Sequence, residues 1–282
     1  MLKTSQKMRL ARFACRAVLF ARSRLGLGPE VVVRRHGIRW HLDLTEGIDL
    51  SIYLLGAFEP LTRMAYTRLI SPGAYVIDIG ANIGAHTLPL AHLVGNSGRV
   101  LAIEPTAFAY EKLCANAALN PELQPQIMAE QVYLVGTASD TMLLEANASW
   151  PMFALGSRDV LNQGLSKSTT GGHASTLDDL VKQAKFPRVD FIKIDVDGHE
   201  RGVLTGGQKT LEKYRPRMIA ELAPHEFSRE SGDLEEIISL LRRLDYKLWD
   251  FSERHQWPLD AEKLRSVIPP GVSRNAIVIP QA

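Results

Sequence analysis

Cysteine is scarce in this chain: Cys15 and Cys114 are the only two among 282 residues. They form no CxxC pair and no zinc-ligand spacing, which excludes a disulfide scaffold and makes a reducing, cytoplasmic compartment the expectation. Long hydrophobic runs are missing as well. The first residues are basic enough for a signal-peptide n-region, but the longest apolar run there, residues 17–21, ends at Arg22 after five residues. No h-region follows, so no cleaved secretory signal is expected. Residues 79–98 are 20 positions without formal charge, yet they hold Asn82, His86, His92, Asn96 and four glycines. A membrane span is therefore not expected. Internal repeats are absent. So is the Asn/Asp-Pro-Pro-aromatic signature of enzymes that methylate nucleic-acid amino groups, and the leader offers only Phe13 and Phe20 for base stacking. Nucleic acid is not an expected partner.

What is present is ordinary for a globular protein: 45% apolar and 23% charged residues, which excludes disorder and collagen. The net charge of +2 is a cancellation. Residues 1–39 hold ten Lys or Arg against the single acid Glu30, a net +9, so the other 243 residues carry −7. Arg9, Arg12 and Arg16 share one helical face, and Leu10, Ala14, Ala17 and Ala21 make a weak stripe on another. Three regions are expected: a basic helical leader over 1–30, a hairpin and helix extension over 31–72, and a cofactor-binding domain over 73–282.

The hairpin turns at His36 and Gly37, between β-rich runs at 31–35 and 38–44. Residues 49–70 read as helix, broken at Gly56 and Pro60. From residue 74 the pattern becomes strand, helix, strand. Strands are expected at 74–79, 99–104, 131–135, 141–145, 189–195, 217–222, 246–251 and 275–280. Helices are expected at 85–94, 107–119, 176–185, 200–214 and 233–244. Repeated βα units with apolar strands indicate a parallel sheet covered on both faces. Residues 147–175 break the rhythm, being rich in Gly, Ser, Thr and Asn, and are expected to be a substrate loop. Trp150, Phe153, Arg158 and His173 are its candidate acceptor contacts.

The chemistry concentrates in two motifs. Asp78, Gly80, Asn82 and Gly84 stand at a strand-to-helix turn, where glycine permits a tight turn and free helix N–H groups favour an anion. Glu104 ends the next strand, 24 residues after Gly80, where an acid can take both ribose hydroxyls of a nucleoside cofactor. NAD and S-adenosylmethionine both satisfy that much. The pattern D-x-G-x-x-x-G is not the dehydrogenase G-x-G-x-x-G, and an acid before the first glycine suits a cationic amino group and repels a pyrophosphate. S-adenosylmethionine is preferred. The alternatives are a nicotinamide oxidoreductase and a non-enzymatic module held at a membrane by the leader.

The second motif, Asp195, Asp197, Gly198, His199 and Glu200, follows the strand FIKI at the carboxyl edge where open α/β sheets bind ligands. Oxygen methylation needs a group to take or polarise the hydroxyl proton, and Asp195, Asp197 or His199 could serve. Gly198 and Glu200 read as turn and helix cap. The three carboxylates and one imidazole lack strong metal spacing, so no metal is assigned. Glu221 ends the strand RMIAEL, followed by His225 and Glu226. It faces either the same crevice or solvent. Glu59 either folds back over the cofactor or starts a helix before Pro60.

These stretches resemble the FkbM family of S-adenosylmethionine-dependent methyltransferases. The resemblance rests on GAFEP (56–60), VIDIGANIGAHTL (76–88), AIEP (102–105), STLDDL (175–180), VDFIKIDVDGHERGVLTGG (189–207) and RPRMIAEL (215–222). It covers roughly residues 48–225 in the family's order. One position departs: the family usually carries Glu where Asp197 stands. The resemblance implies a class I methyltransferase (Rossmann-like) α/β fold, with a doubly wound seven-stranded sheet whose last strand is antiparallel. It also implies O-methylation of a sugar, glycan or small-metabolite hydroxyl. Asp78, Gly80, Asn82 and Gly84 would hold the methionine end of the cofactor, and Glu104 the ribose. Gly136, with Val135, would lie near the adenine. Asp195 and Asp197 would face the methyl group and the acceptor. The leader, with no chemistry of its own, is expected to contact an anionic membrane peripherally through residues 1–24.

Overall fold

The structure, a computed structural model, describes residues 4–153, 164–225, 227 and 232–281. Arg158 and Glu226 lie outside the described residues.

The chain opens with helix α1 (Thr4–Arg24), which stops at Gly26 in the left-handed region. A hairpin follows, β1 (Glu30–Arg35) and β2 (Ile38–Asp43). His36 and Gly37 both adopt positive φ at its tip, the conformation that a two-residue hairpin turn requires. Helices α2 (Gly47–Leu55) and α3 (Pro60–Leu69) complete the extension, separated at Gly56 and Pro60 as the sequence indicates.

The body alternates strands and helices: β3 (Tyr75–Ile79), α4 (Thr87–Val94), β4 (Arg99–Ile103), α5 (Ala107–Ala118) and β5 (Ile127–Glu130). Next come β6 (Val132–Leu134), β7 (Glu145–Ser149) and β8 (Leu165–Ser168), which with the strand that follows lie outside the main sheet. Then come β9 (His173–Ser175), α6 (Leu177–Gln183), β10 (Phe191–Ile194), α7 (Glu200–Gly206), α8 (Gln208–Tyr214) and β11 (Arg217–Leu222). The chain closes with α9 (Asp233–Arg243), β12 (Tyr246–Trp249), β13 (Gln256–Trp257), α10 (Ala261–Val267) and β14 (Arg274–Pro280).

The main sheet has eight strands in the order β13-β12-β14-β11-β10-β3-β4-β5. Strands β5, β4, β3, β10 and β11 run parallel, and β14 inserts antiparallel between β11 and β12. The eighth strand, β13, is a two-residue edge addition to the expected seven.

Three expectations shift. The third sheet strand is 127–130, and the apolar run 132–134 pairs instead with β9. Residues 127–129 and 132–135 are apolar, and Glu130 and Gln131 between them are not turn residues, so periodicity alone cannot show where the chain leaves the sheet. Residues 141–144 are irregular, and the strand there starts at Glu145. The helix expected over 200–214 is two helices that meet at Gly206 and Gly207. There a Cβ on Gly206 would strike the Val135 carbonyl.

Alternation along each strand sorts the core into two layers. Ile77, Ile79, Leu101, Ile103, Ile192 and Ile194 pack with α6 to α10 on one face. Val76, Val100, Phe191, Ile219 and Ile277 face the other way, against α4, the hairpin residues Trp40 and Leu42, and Tyr66 of α3. Asn116 of α5 and Asn120 just beyond its end fix the hairpin edge: Asn116 Oδ1 accepts from the His41 N–H and Asn120 Oδ1 from the Arg39 N–H, each at 2.8 Å. The extension thus roofs one face of the sheet. By the same alternation that face receives Asp78, Lys193 and Glu221.

Candidate active site

A cleft of about 930 Å³ opens at the carboxyl ends of β3, β4, β10 and β11, within the size range of small-molecule sites. Its wall includes Glu59, Gly80, Asn82, Glu104, Asp195, Asp197 and Glu221, so seven of the sequence candidates converge there. Three do not line it. Asp78 is fully buried beneath the floor. Gly84 faces inward, where a Cβ would meet Leu88 and Leu113, and Gly136 sits beside Asp140 and Thr205. Of the loop candidates, Trp150 lines the cleft, whereas Phe153 and His173 are exposed away from it.

The turn after β3 is built for close approach. A Cβ on Gly80 would collide with the Asp195 carbonyl, and its φ of +76° lies where L side chains are strained. Asn82 takes φ +49°, its Oδ1 accepts from the Ile83 N–H at 2.9 Å, and its own N–H donates to Glu104 Oε2 at 2.9 Å. Glu104 Oε1 accepts from the Thr106 N–H at 3.0 Å and the Thr106 hydroxyl at 2.6 Å. Burial pushes the Glu104 carboxyl up, and the Thr106 and Asn82 donors counter it.

The sequence reading missed Lys193. Its side chain is almost fully buried, with Nζ 3.2 Å from Asp195 Oδ2 and 3.8 Å from Asp78 Oδ1. Burial alone would lower its pKa, but Asp195, Asp78 and Glu59 hold it above the ordinary value, so it stays charged. The Thr87 hydroxyl donates to Asp78 Oδ2 at 2.6 Å. One ammonium cannot offset both acids. Burial raises Asp78 in spite of Lys193, while the nearer Asp195, which burial would also raise, is held below the ordinary carboxylate range by Lys193 and a hydrogen bond with Glu221.

Glu221 is pushed up to about 10, by burial first and then by the Asp195 carboxylate. At neutral pH it is therefore the protonated partner and donates to Asp195. Glu59 stands at the start of α3 with φ +42° and also lines the cleft. Its Oε2 accepts from the Thr62 hydroxyl at 2.9 Å and from Asn275 Nδ2 at 3.1 Å, and burial raises it. His86, also missed, is buried in the wall beside the rings of Phe58 and Tyr66. Burial lowers its pKa well below the ordinary value, and both its ring nitrogens lack a hydrogen-bond partner. A lone lysine inside an apolar strand was the available signal for Lys193, because lysine is seldom buried without a partner. No comparable signal marked His86.

The hairpin β7–β8 forms the far wall. Glu46 accepts from the Ser149 hydroxyl and the Trp150 N–H, each at 2.9 Å, and Asn82 Nδ2 donates to the Ala148 carbonyl at 3.2 Å. His199 lines the cleft with Tyr133, whose hydroxyl lies 3.1 Å from Nδ1. Glu200 Oε1 accepts from the Gly198 N–H, the capping role the sequence suggested. Oxygens of Asp195, Asp197 and Glu221 come within 4.8 Å of one another, a cluster that could hold a cation.

A parallel sheet with an antiparallel strand inserted next to its edge, and a ligand cleft over a Gly-rich first turn, is the class I methyltransferase fold. The family model described as Methyltransferase FkbM domain matches residues 78–248, and the chain belongs to that family of methyltransferases. The family is S-adenosylmethionine-dependent. Two curated relatives are similar in part. Hexuronic acid methyltransferase AglP of Haloferax volcanii is 28% identical over 136 residues, 48% of this chain and 50% of that protein. AMB antimetabolite synthetase AmbE of Pseudomonas aeruginosa is 27% identical over 216 residues, 64% of this chain and 10% of that protein. The chain thus spans half the length of one relative and a tenth of the other. Among solved structures, methyltransferase FkbM from Methylobacillus flagellatus aligns at TM-score 0.45 and 16% identity, covering 75% of this chain and 44% of that one.

Proposed function

We propose that the chain is an S-adenosylmethionine-dependent O-methyltransferase acting on a hydroxyl of a sugar, glycan or other small metabolite. The observation that carries this reading is the Lys193–Asp195–Glu221 cluster at the cleft floor, directly across from the Gly80 turn. The residues present suit the cofactor. The cleft holds several carboxyl groups against one paired lysine, which favours a cationic ligand, and the ring nitrogens of His86 in its wall have no hydrogen-bond partner, with Nε2 3.8 Å from Glu59 Oε2. Family membership supports the same cofactor over a nicotinamide.

S-adenosylmethionine supplies a methyl group on a cationic sulfur. Glu104 would hold the ribose hydroxyls, with Asn82 keeping that carboxylate in place. Gly80, Asn82 and Glu59 would line the methionine end. Asp78 is a positioning residue, since it touches Lys193 and Thr87 and not the cleft. Gly84 and Gly136 serve packing. Asp195, kept ionised by Lys193 and aligned by the protonated Glu221, accepts the hydrogen bond of the acceptor hydroxyl and takes its proton as the methyl group transfers. Asp197, exposed at the rim, would meet the acceptor. The name of AglP supports a sugar-type acceptor. No metal enters this reading, because an ion among Asp195, Asp197 and Glu221 would stand against the Lys193 ammonium.

The test is methyl transfer from labelled S-adenosylmethionine to a panel of sugars, with wild type and Asp195→Asn. The substitution should lower kcat on the order of 100-fold and leave cofactor affinity within about threefold. Full activity in the variant would remove Asp195 from its role, and loss of activity in EDTA restored by a divalent ion would overturn the metal-free mechanism.

A further inference from the structure

Helix α1 has two apolar sides. Ala11, Val18 and Leu19 turn inward with Cys15, whose thiol donates to the Leu44 carbonyl at 3.2 Å. The sequence stripe of Leu10 with three alanines is not the packed side. Leu10, Phe13 and Phe20 point away from the body and are 64%, 73% and 62% exposed. With Ala17 between them, their spacing places all four on one outer stripe. Leu25 and Leu27, at the end of the helix, are exposed as well. Large apolar side chains gathered on one exposed face mark an interaction surface.

The charges say what covers it. Arg9 and Arg16 are exposed along one edge of the stripe, and the Arg24 guanidinium lies 5.1 Å from the Phe20 ring centroid. The first 39 residues carry +9 while the rest of the chain carries −7. An isologous contact with a second copy would press these arginines against one another. An anionic lipid surface takes both features at once, the rings at the acyl boundary and the arginines at phosphates. The helix also borders the cleft: Ala11 lines it, and the Arg16 guanidinium sits 5.6 Å over the ring of Phe153, one residue after Met152 of the cleft wall.

We propose that α1 docks the protein on an anionic phospholipid bilayer through Leu10, Phe13 and Phe20, holding the mouth of the cleft at the membrane surface. This binding is peripheral, since no helix among the described residues is long and apolar enough to cross a membrane. It does not depend on the methyltransferase reading, because its readout needs no methyl transfer.

The experiment is co-sedimentation of the full chain with phosphatidylcholine vesicles with and without phosphatidylglycerol, alongside sedimentation velocity without lipid. The expected result is binding that requires the anionic lipid, weakens in high salt, and falls at least about tenfold in the Phe13→Ser/Phe20→Ser variant. Urea unfolding of the variant, unchanged in cooperativity, keeps this from being a folding failure. Equal binding to neutral vesicles, no binding to either, binding unaffected by the double substitution, or a dimer that the substitution dissolves would each overturn the proposal.

Discussion

Replacing Glu221 with glutamine should stabilise the protein, and by an amount that grows with pH. Glu221 is raised from an ordinary 4.5 to about 10 in the folded protein. The folded state therefore keeps a proton that the unfolded chain releases above pH 4.5. Stability from this group is full below that pH, falls as pH rises toward 10, and is flat beyond it. Each unit of the gap is worth about 1.4 kcal/mol, so at pH 7.5 the three units above 4.5 set a ceiling of about 4 kcal/mol. Coupling to Asp195 divides the proton between two carboxyls, which brings the expected difference to about 2–4 kcal/mol. Glutamine keeps the geometry: its amide can donate to Asp195 and its carbonyl can accept from Ser273, which already hydrogen-bonds Glu221. The assay is urea unfolding of wild type and Glu221→Gln at pH 5.0 and 7.5. The account predicts a small difference at pH 5.0 that widens with pH in favour of the variant. A constant difference, or destabilisation that grows with pH, would show that Glu221 is ionised in the folded protein and would refute the proton assignment.

Two other substitutions test the same architecture. Lys193→Met removes the ammonium between Asp78 and Asp195 and leaves both without a counter-charge, which should cost about 3–5 kcal/mol in chemical denaturation at pH 7.5. The loss should shrink toward pH 4 as the acids take up protons, and a variant as stable as wild type at pH 7.5 would contradict the pairing. Gly80→Ala forces a Cβ into the Asp195 carbonyl at a positive φ, so it should lower Tm by several degrees or prevent soluble expression, where Gly28→Ala, with open space around it and no positive φ, should be milder.

The parallel core could be read from the chain because its apolar βα units and Gly-rich first turn have a clear rhythm, whereas the sheet's seven strands and its antiparallel last strand followed only from the resemblance to the FkbM family. Glu104 and Asp195 were legible because each ends a strand. What strand-end logic cannot show is depth. Asp78 and Lys193 sit one strand apart in direct register, Lys193 opposite Asp78, and their shared burial follows only once the face that receives the extension is known. The sequence alone places Glu221 at either crevice or solvent, because its partner, Asp195, comes from the end of the neighbouring strand. The β7–β8 hairpin, EANAS with LSKS, has weak strand propensity and exists through contacts made from outside it, by Glu46 and Asn82. The leader's outer stripe was hidden because its inner face, Ala11, Cys15, Val18 and Leu19, is nearly as apolar, so no single stripe dominated.

The central claim is that this cleft binds S-adenosylmethionine with Glu104 on its ribose. Isothermal titration of the full chain with S-adenosylmethionine measures it directly, with NADH as the comparison ligand and Glu104→Ala as the variant. The account predicts one site for S-adenosylmethionine, no heat with NADH, and affinity lowered by roughly 10- to 100-fold in Glu104→Ala, the loss of one charged hydrogen-bond acceptor. Well-folded protein that takes up no S-adenosylmethionine, or that binds it equally without the Glu104 carboxylate, would contradict it.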